Sequence, residues 1–240
     1  MNNTIQTLWV GNKLSTMERL CLSSFVQNGH PIELYSYDDI ENVPEGVVIR
    51  DGNEILSEDM IFEYKNHKSF SGFSNYFRYK LLSEKGGWWV DTDVICLKPF
   101  NIPDPLVICS EEVLPLGEGN THIGSCVIKA PAGNILTKNA FEICMNKKPE
   151  DLVWGEIGPR LVKEMVEKYN MNSFIKAPSW FCPIPGCLWT AFLDGSVELT
   201  FKEQTHAVHL WNEMWRRGGA DKDAEYPPNS FYEKLKRRYL

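Results

Sequence analysis

The sequence predicts an α/β fold, and three observations carry that prediction. Residues 4–10 read as a first strand running into Gly11. Ser15-Thr16-Met17-Glu18 has the form of a capping box, so a helix starts there and runs to Asn28-Gly29. Pro31 then leads into a second strand, residues 32–37, which gives strand, helix and strand at the spacing of a parallel crossover. With 240 residues, 43% of them hydrophobic, the chain fits one substantial domain with a real core, residues 1–240, rather than two. Ligands of such sheets sit at the carboxyl ends of the strands, which is where Trp9 and Val10 fall.

Composition narrows the function classes. A net charge of −7 argues against a general nucleic-acid binder, since neutralising a phosphate backbone needs a basic face. The seven cysteines are an odd number without a CxxC pair, and several lie in apolar runs, where a thiol serves as a small core residue rather than half of a disulfide. Neither a charged-then-apolar leader nor an apolar run approaching membrane-spanning length is present, so the expectation is a cytoplasmic protein.

Residues 38–57 are rich in turn formers around one short strand, residues 47–50. Residues 58–68 read as a short helix and residues 66–72 as a polar loop. Then comes the central stretch. Phe77, Leu81 and Leu82 make the apolar stripe of a helix, with Asn75 and Arg78 three apart on one side of it. Gly86-Gly87 supplies the reversal into a strand over residues 88–95. Alternation along that strand puts Trp89, Asp91 and Asp93 on one face, opposite Trp88, Val90, Thr92 and Val94. The two carboxylates lie about 7 Å apart by the usual rise, near enough for one hard divalent cation. The alternative is an Asp-Thr-Asp turn that is merely solvated.

The order Ser74-Asn75-x-x-Arg78-Tyr79, followed by Leu82-x-x-x-Gly86-Gly87-x-Trp89-x-Asp91-x-Asp93, resembles the core signature of the DXD-containing sugar transferases of glycosyltransferase family 32. That group includes yeast mannosyltransferases, α-1,4-galactosyl and N-acetylglucosaminyl transferases and many bacterial polysaccharide-synthesis enzymes, with the large clostridial glucosylating toxins as distant relatives. The resemblance implies a GT-A type (Rossmann-like) fold, a central mixed sheet flanked by helices, whose residues 1–100 hold the nucleotide and whose residues 101–240 face the acceptor. It departs at Asn75, where the family usually has an aspartate that holds hydroxyls of the donor sugar. Members in the eukaryotic Golgi carry an N-terminal anchor, so its absence points to a bacterial cytoplasmic version or a trimmed chain.

Beyond the signature, residues 106–110 and 123–128 read as strands, with residues 111–121 an acceptor-side loop between them. Residues 132–146 read as a helix, and Pro159 fits the first position of another that ends near Tyr169. Gly158-Pro159 resembles a glycine-proline step of the family, and Glu156 before it is either an acceptor-contacting acid or a cap. Trp180, Phe181, Trp189 and Phe192, set among prolines, serve equally as sugar platforms or as a satellite core. In Thr205-His206-Ala207-Val208-His209-Leu210-Trp211-Asn212, alternation places His209 and Trp211 on one face, with His206 turned away. A lone strand histidine is commonly structural, but His-x-Trp-Asn resembles the family's C-terminal motif. That likeness implies His209 as third metal contact, with Asn212 in reserve, and Trp211 on the diphosphate. Arg216-Arg217-Gly218-Gly219 reads as a basic loop able to close over a diphosphate. Residues 230–240 read as a helix with Lys234, Lys236, Arg237 and Arg238, either a solvated terminal helix or a peripheral contact with an anionic membrane.

These readings combine into a metal-dependent transferase that uses a UDP-sugar donor, and the family resemblance implies retention of configuration and an oligosaccharide or lipid-linked glycan acceptor in surface polysaccharide synthesis. Asp91, Asp93 and His209 hold Mn²⁺, or Mg²⁺; Arg78 supplies fixed positive charge; Trp9, Val10 and Trp89 take the nucleotide; Asn75 faces the sugar. Two other classes use the same residues: a metal-dependent phosphohydrolase or nucleotidyltransferase, and a non-catalytic module that binds a sugar nucleotide.

Overall fold

The computed structural model describes residues 2–65, 67–113 and 121–240. The predicted crossover forms as strand β1 (Ile5–Leu8), helix α1 (Thr16–Gln27) and strand β2 (Ile32–Ser36), and β3 (Val47–Asp51) follows. Ser15 and Glu18 close the capping box at the start of α1. Helix α2 (Ser71–Glu84) leads into β4 (Gly87–Val90), then β5 (Val94–Cys96), β6 (Val107–Glu112) and β7 (Thr121–Ala130). Helices α3 (Ile135–Met145) and α4 (Leu161–Lys168), strand β8 (Ala207–His209) and helices α5 (Asn212–Gly218) and α6 (Phe231–Tyr239) complete the chain.

The main sheet runs β3-β2-β1-β4-β7-β6 and is mixed. β3, β2, β1 and β4 are parallel, whereas β7 lies antiparallel to both β4 and β6. The chain builds outward from β1 through β2 to β3, then returns to place β4 on the other side of β1. This reversal opens a crevice at the carboxyl ends of β1 and β4, the ordinary ligand position of open α/β sheets. Residues 1–100 and 101–240 both contribute strands to the sheet.

Alternation on β4 sends its two tryptophans into different cores. Trp88 packs with Phe25, Phe181 and Trp215 on one side of the sheet, and Trp89 with Tyr35, Phe77 and Ile128 on the other. The turn before β4 requires glycine. Gly86 has φ +64, and a Cβ there would stand 2.5 Å from the Ala132 backbone nitrogen.

Four expectations are corrected. Residues 88–95 are not one strand: β4 ends at Val90, and the Val94 N–H donates to the Asp91 carbonyl at 3.1 Å, closing a turn over Asp91-Thr92-Asp93. The physical reason is a change of partner, since β5 leaves the main sheet and pairs antiparallel with β8 in a two-stranded ribbon. Residues 58–68 contain only a 3₁₀ turn, Glu58–Met60, because the chain then extends to set Phe62 edge-on against Phe73 and Tyr76. Pro159 does not begin α4; it lies in a π-type turn, Glu156–Arg160, broken at Gly158. Arg216 and Arg217 belong to the last turn of α5 rather than to a loop, and both are paired with Glu213 at 2.7 Å. In the region expected to be an acceptor-side loop, Glu111 and Glu112 extend β6, while residues 114–120 lie outside the described residues, as does Asn66 of the expected polar loop.

Candidate active site

The site is built at the sheet's crevice from two short segments that the β5–β8 ribbon holds together. Leaving β4, the chain turns at once, and the Asp91 N–H donates to the Cys126 carbonyl on β7 at 2.9 Å. This fixes the start of the turn. Past β8, Trp211 takes the left-handed conformation at φ 62, and α5 begins at Asn212. The Asn212 N–H thereby donates to Asp93 Oδ2 at 2.8 Å, and His209 Nε2 stands 3.1 Å from the same oxygen.

Asp91 is oriented from the opposite side. Trp89 Nε1 donates to its Oδ1 at 2.7 Å, and Arg78 Nη2 on α2 reaches the same oxygen at 2.5 Å. Arg78 is itself held by Asn75, whose Oδ1 accepts from Nη1 at 2.8 Å while its Nδ2 donates to the Ser71 carbonyl. The helical spacing of Asn75 and Arg78 is what makes this clamp possible. Each carboxylate commits one oxygen to these bonds, and Oδ2 of Asp91 and Oδ1 of Asp93 stay outside them. Asp91, Asp93 and His209 each offer a ligand atom, all within 4.8 Å of one another.

Electrostatics follow from the geometry. Burial pushes the Asp91 carboxyl above its ordinary range, Arg78 works against that and the Asp93 charge adds to it. Burial also opposes ionisation of Asp93, but the His209 charge, its hydrogen bond and the Asn212 N–H hold that carboxyl below its ordinary range. For His209, burial disfavours the charged ring, yet the neighbouring Asp93 raises its pKa to about 9. A protonated imidazole beside two carboxylates offsets part of their negative charge. The donor set fits a divalent ion: two carboxylate oxygens suit Mg²⁺ or Mn²⁺, and the imidazole favours Mn²⁺.

The predicted residues divide into two groups. Asp91, Asp93, His209, Arg78, Asn75 and Trp89 come together in one hydrogen-bonded network, and the Asp-x-Asp pair converges as a turn rather than as a strand face. Trp89 has no open ring face for a base, at 1% exposure, and acts by holding Asp91. Asn75 is buried, with its amide spent on Ser71 and Arg78, so it is not turned toward a ligand and serves to hold Arg78. Asn212 serves through its backbone rather than its side chain. Trp9 and Val10 are half-buried just past β1; Trp9 Nε1 donates to the Lys13 carbonyl at 3.1 Å. Trp211 lies against His209, ring centres 4.0 Å apart, and its Nε1 donates to the Ile184 carbonyl. Glu156 pairs with Lys147 at 2.6 Å and accepts from the Val153 N–H, and its side chain caps neither the turn nor α4. His206 turns to the Pro99 carbonyl and stacks on Trp180, away from the site.

Sequence reasoning missed Glu111. Burial raises its carboxyl above the ordinary range while the His209 charge draws it down, which places this end of β6 within electrostatic reach of the centre. Its only sequence signal was an acidic residue at the end of an apolar strand.

Comparison with known proteins agrees with this geometry. Residues 14–113 match the family described as glycosyltransferase sugar-binding region containing DXD motif. Among solved structures, the PaToxG glycosyltransferase superposes with a TM-score of 0.51 at 15% identity, over 72% of each chain. The WbbM bifunctional glycosyltransferase covers 99% of this chain and 51% of its own at 9% identity, with a TM-score of 0.48. The matched span contains both aspartates, and the mixed sheet that carries them to its crevice has the GT-A type fold.

Proposed function

We propose that this chain is a metal-dependent, retaining glycosyltransferase that moves a hexose or N-acetylhexosamine from a UDP-sugar to a glycan or lipid-linked oligosaccharide acceptor. The observation that carries the proposal is the convergence of Asp91, Asp93 and His209 on one point of the crevice. Asp91, Asp93 and His209 would hold a divalent ion there, which would neutralise a diphosphate and supply Lewis acidity to the leaving group. The chain's own residues prepare that position. Trp89 and Arg78 hold Asp91, and His209 and the Asn212 N–H hold Asp93, so the donor set is in place before a ligand arrives. Arg78 adds fixed positive charge beside the developing negative charge. Trp9 offers a half-buried ring at the end of β1 for the uracil, with the Val10 backbone at the base edge. Retention through an oxocarbenium-like state, and a place in capsule or lipopolysaccharide assembly on the cytoplasmic side of a membrane, rest on the family likeness. Among the described residues no helix is long and apolar enough to cross a membrane. Lys234, Arg237 and Arg238 are exposed along α6, which supports a peripheral contact with anionic lipid.

The test is the thermal midpoint with UDP, in Mn²⁺ and in excess EDTA, beside an Asp91→Asn/Asp93→Asn variant. A ligand well above its dissociation constant stabilises by about 3 kcal/mol. The expected result is a UDP-dependent rise that needs both Mn²⁺ and the aspartates. A rise indifferent to metal and to the variant, or none, refutes the site.

A further inference from the structure

His209 has a second side. Nε2 is engaged by Asp93, while Nδ1 is buried without a hydrogen-bond partner among the described residues. Behind the ring lie three buried thiols from three separate elements: Cys109 on β6, Cys126 on β7 and Cys182 just past a 3₁₀ turn, Pro178–Trp180. Cys109 Sγ and Cys126 Sγ are 3.5 Å apart, and Cys126 Sγ and Cys182 Sγ 3.6 Å. The sulfurs of Cys126 and Cys182 and a ring nitrogen of His209 all lie within 4.8 Å of one another.

The spacing is that of a ligand shell. Tetrahedral zinc with sulfur at about 2.3 Å requires sulfurs roughly 3.8 Å apart, so both pairs need to move by only a few tenths of an ångström. The imidazole is also set as a metal-binding histidine is commonly set, with one nitrogen on a carboxylate and the other free. We propose that Cys109, Cys126, Cys182 and Nδ1 of His209 form a binding site for a thiophilic divalent ion of the zinc type, distinct from the carboxylate centre but sharing its histidine. Each ligating thiol gives up its proton to solvent on binding. An ion on Nδ1 keeps the ring's remaining proton on Nε2, where Asp93 accepts it, so the two centres compete for one imidazole. The site goes beyond the transferase reading and does not depend on it.

Cobalt tests this directly. Co²⁺ added without oxygen to the reduced protein is expected to produce sulfur-to-cobalt charge-transfer absorption and intense visible bands of a tetrahedral ion, saturating at one equivalent and abolished by Zn²⁺. Cys126→Ser and Cys182→Ser should each remove the charge-transfer band, whereas Cys187→Ser, at the exposed cysteine, should leave it. The Asp91→Asn/Asp93→Asn variant should also keep it, which separates failure of this site from failure of the carboxylate centre. No charge-transfer band in the unmodified protein, or one that survives Cys126→Ser or Cys182→Ser, overturns the proposal. Should the serine variants not fold, the unmodified protein decides: Zn²⁺ is expected to slow alkylation of Cys126 and Cys182 by about tenfold or more, with Cys21 and Cys96 unaffected. Equal slowing or none overturns it.

Discussion

Trp89 shows how one side chain can be read correctly for position and wrongly for duty. Period-two alternation put the indole beside Asp91, and the structure places its Nε1 2.7 Å from the carboxylate; burial is what sequence alone did not disclose. Replacing Trp89 by Phe keeps an aromatic ring in the core and deletes only the N–H. The expected outcome, by calorimetric titration of Mn²⁺, is a loss of roughly tenfold or more in affinity, the usual cost of losing an outer-shell partner. His209 makes a second prediction at this scale. Its pKa is raised from 6.5 to about 9, the ordinary result of burial being outweighed by Asp93. A group held more tightly protonated when folded stabilises the cation-free protein fully below about pH 6.5, and that contribution fades as pH rises through about 9. Chemical denaturation in EDTA across this range is expected to show the decline, and Mn²⁺, which replaces the proton, should be bound more tightly as pH rises.

At the scale of elements, most strands were legible because apolar runs bounded by Gly, Pro and Asp are hard to mistake. Helix α2 was legible from its stripe and its glycine stop. What could not be read was pairing. Nothing in Val94-Ile95-Cys96 says that it will leave the sheet of Val90 for a ribbon with Ala207–His209, so the break at Asp91–Asp93 was invisible to periodicity. The glycine stop gives a prediction that separates backbone conformation from crowding. Gly86 and Gly133 both have positive φ, but a Cβ at Gly86 meets the Ala132 nitrogen at 2.5 Å, while nothing lies within 4 Å of one at Gly133. Gly133→Ala should cost about 1 kcal/mol from the left-handed backbone alone. Gly86→Ala should cost more, roughly 2 kcal/mol or above, since its neighbour is backbone and cannot swing aside. Urea midpoints at constant slope check the order.

For the whole molecule, the sequence yielded an α/β class from one crossover, and the mixed sheet order rested on family likeness because β7, the later of two consecutive strands, lies between β4 and β6. We propose that residues 1–240 fold as one unit, since strands of the later half pair with β4 and β5 of the earlier. Scanning calorimetry is then expected to give one transition whose calorimetric and van't Hoff enthalpies agree. Two separable transitions would contradict it.

The ribbon of β5 and β8 also sets an order of events during synthesis. Asp93 and His209 are 116 positions apart, so a chain still growing on the ribosome displays both aspartates long before the imidazole exists. Closing so long a loop is slow and is repaid only when the ribbon forms. Until then the aspartates face each other without their cationic neighbour and grip an ion weakly. At the proposed centre, cation capture therefore waits for the ribbon: it reports that residues 207–212 have docked against Asp93.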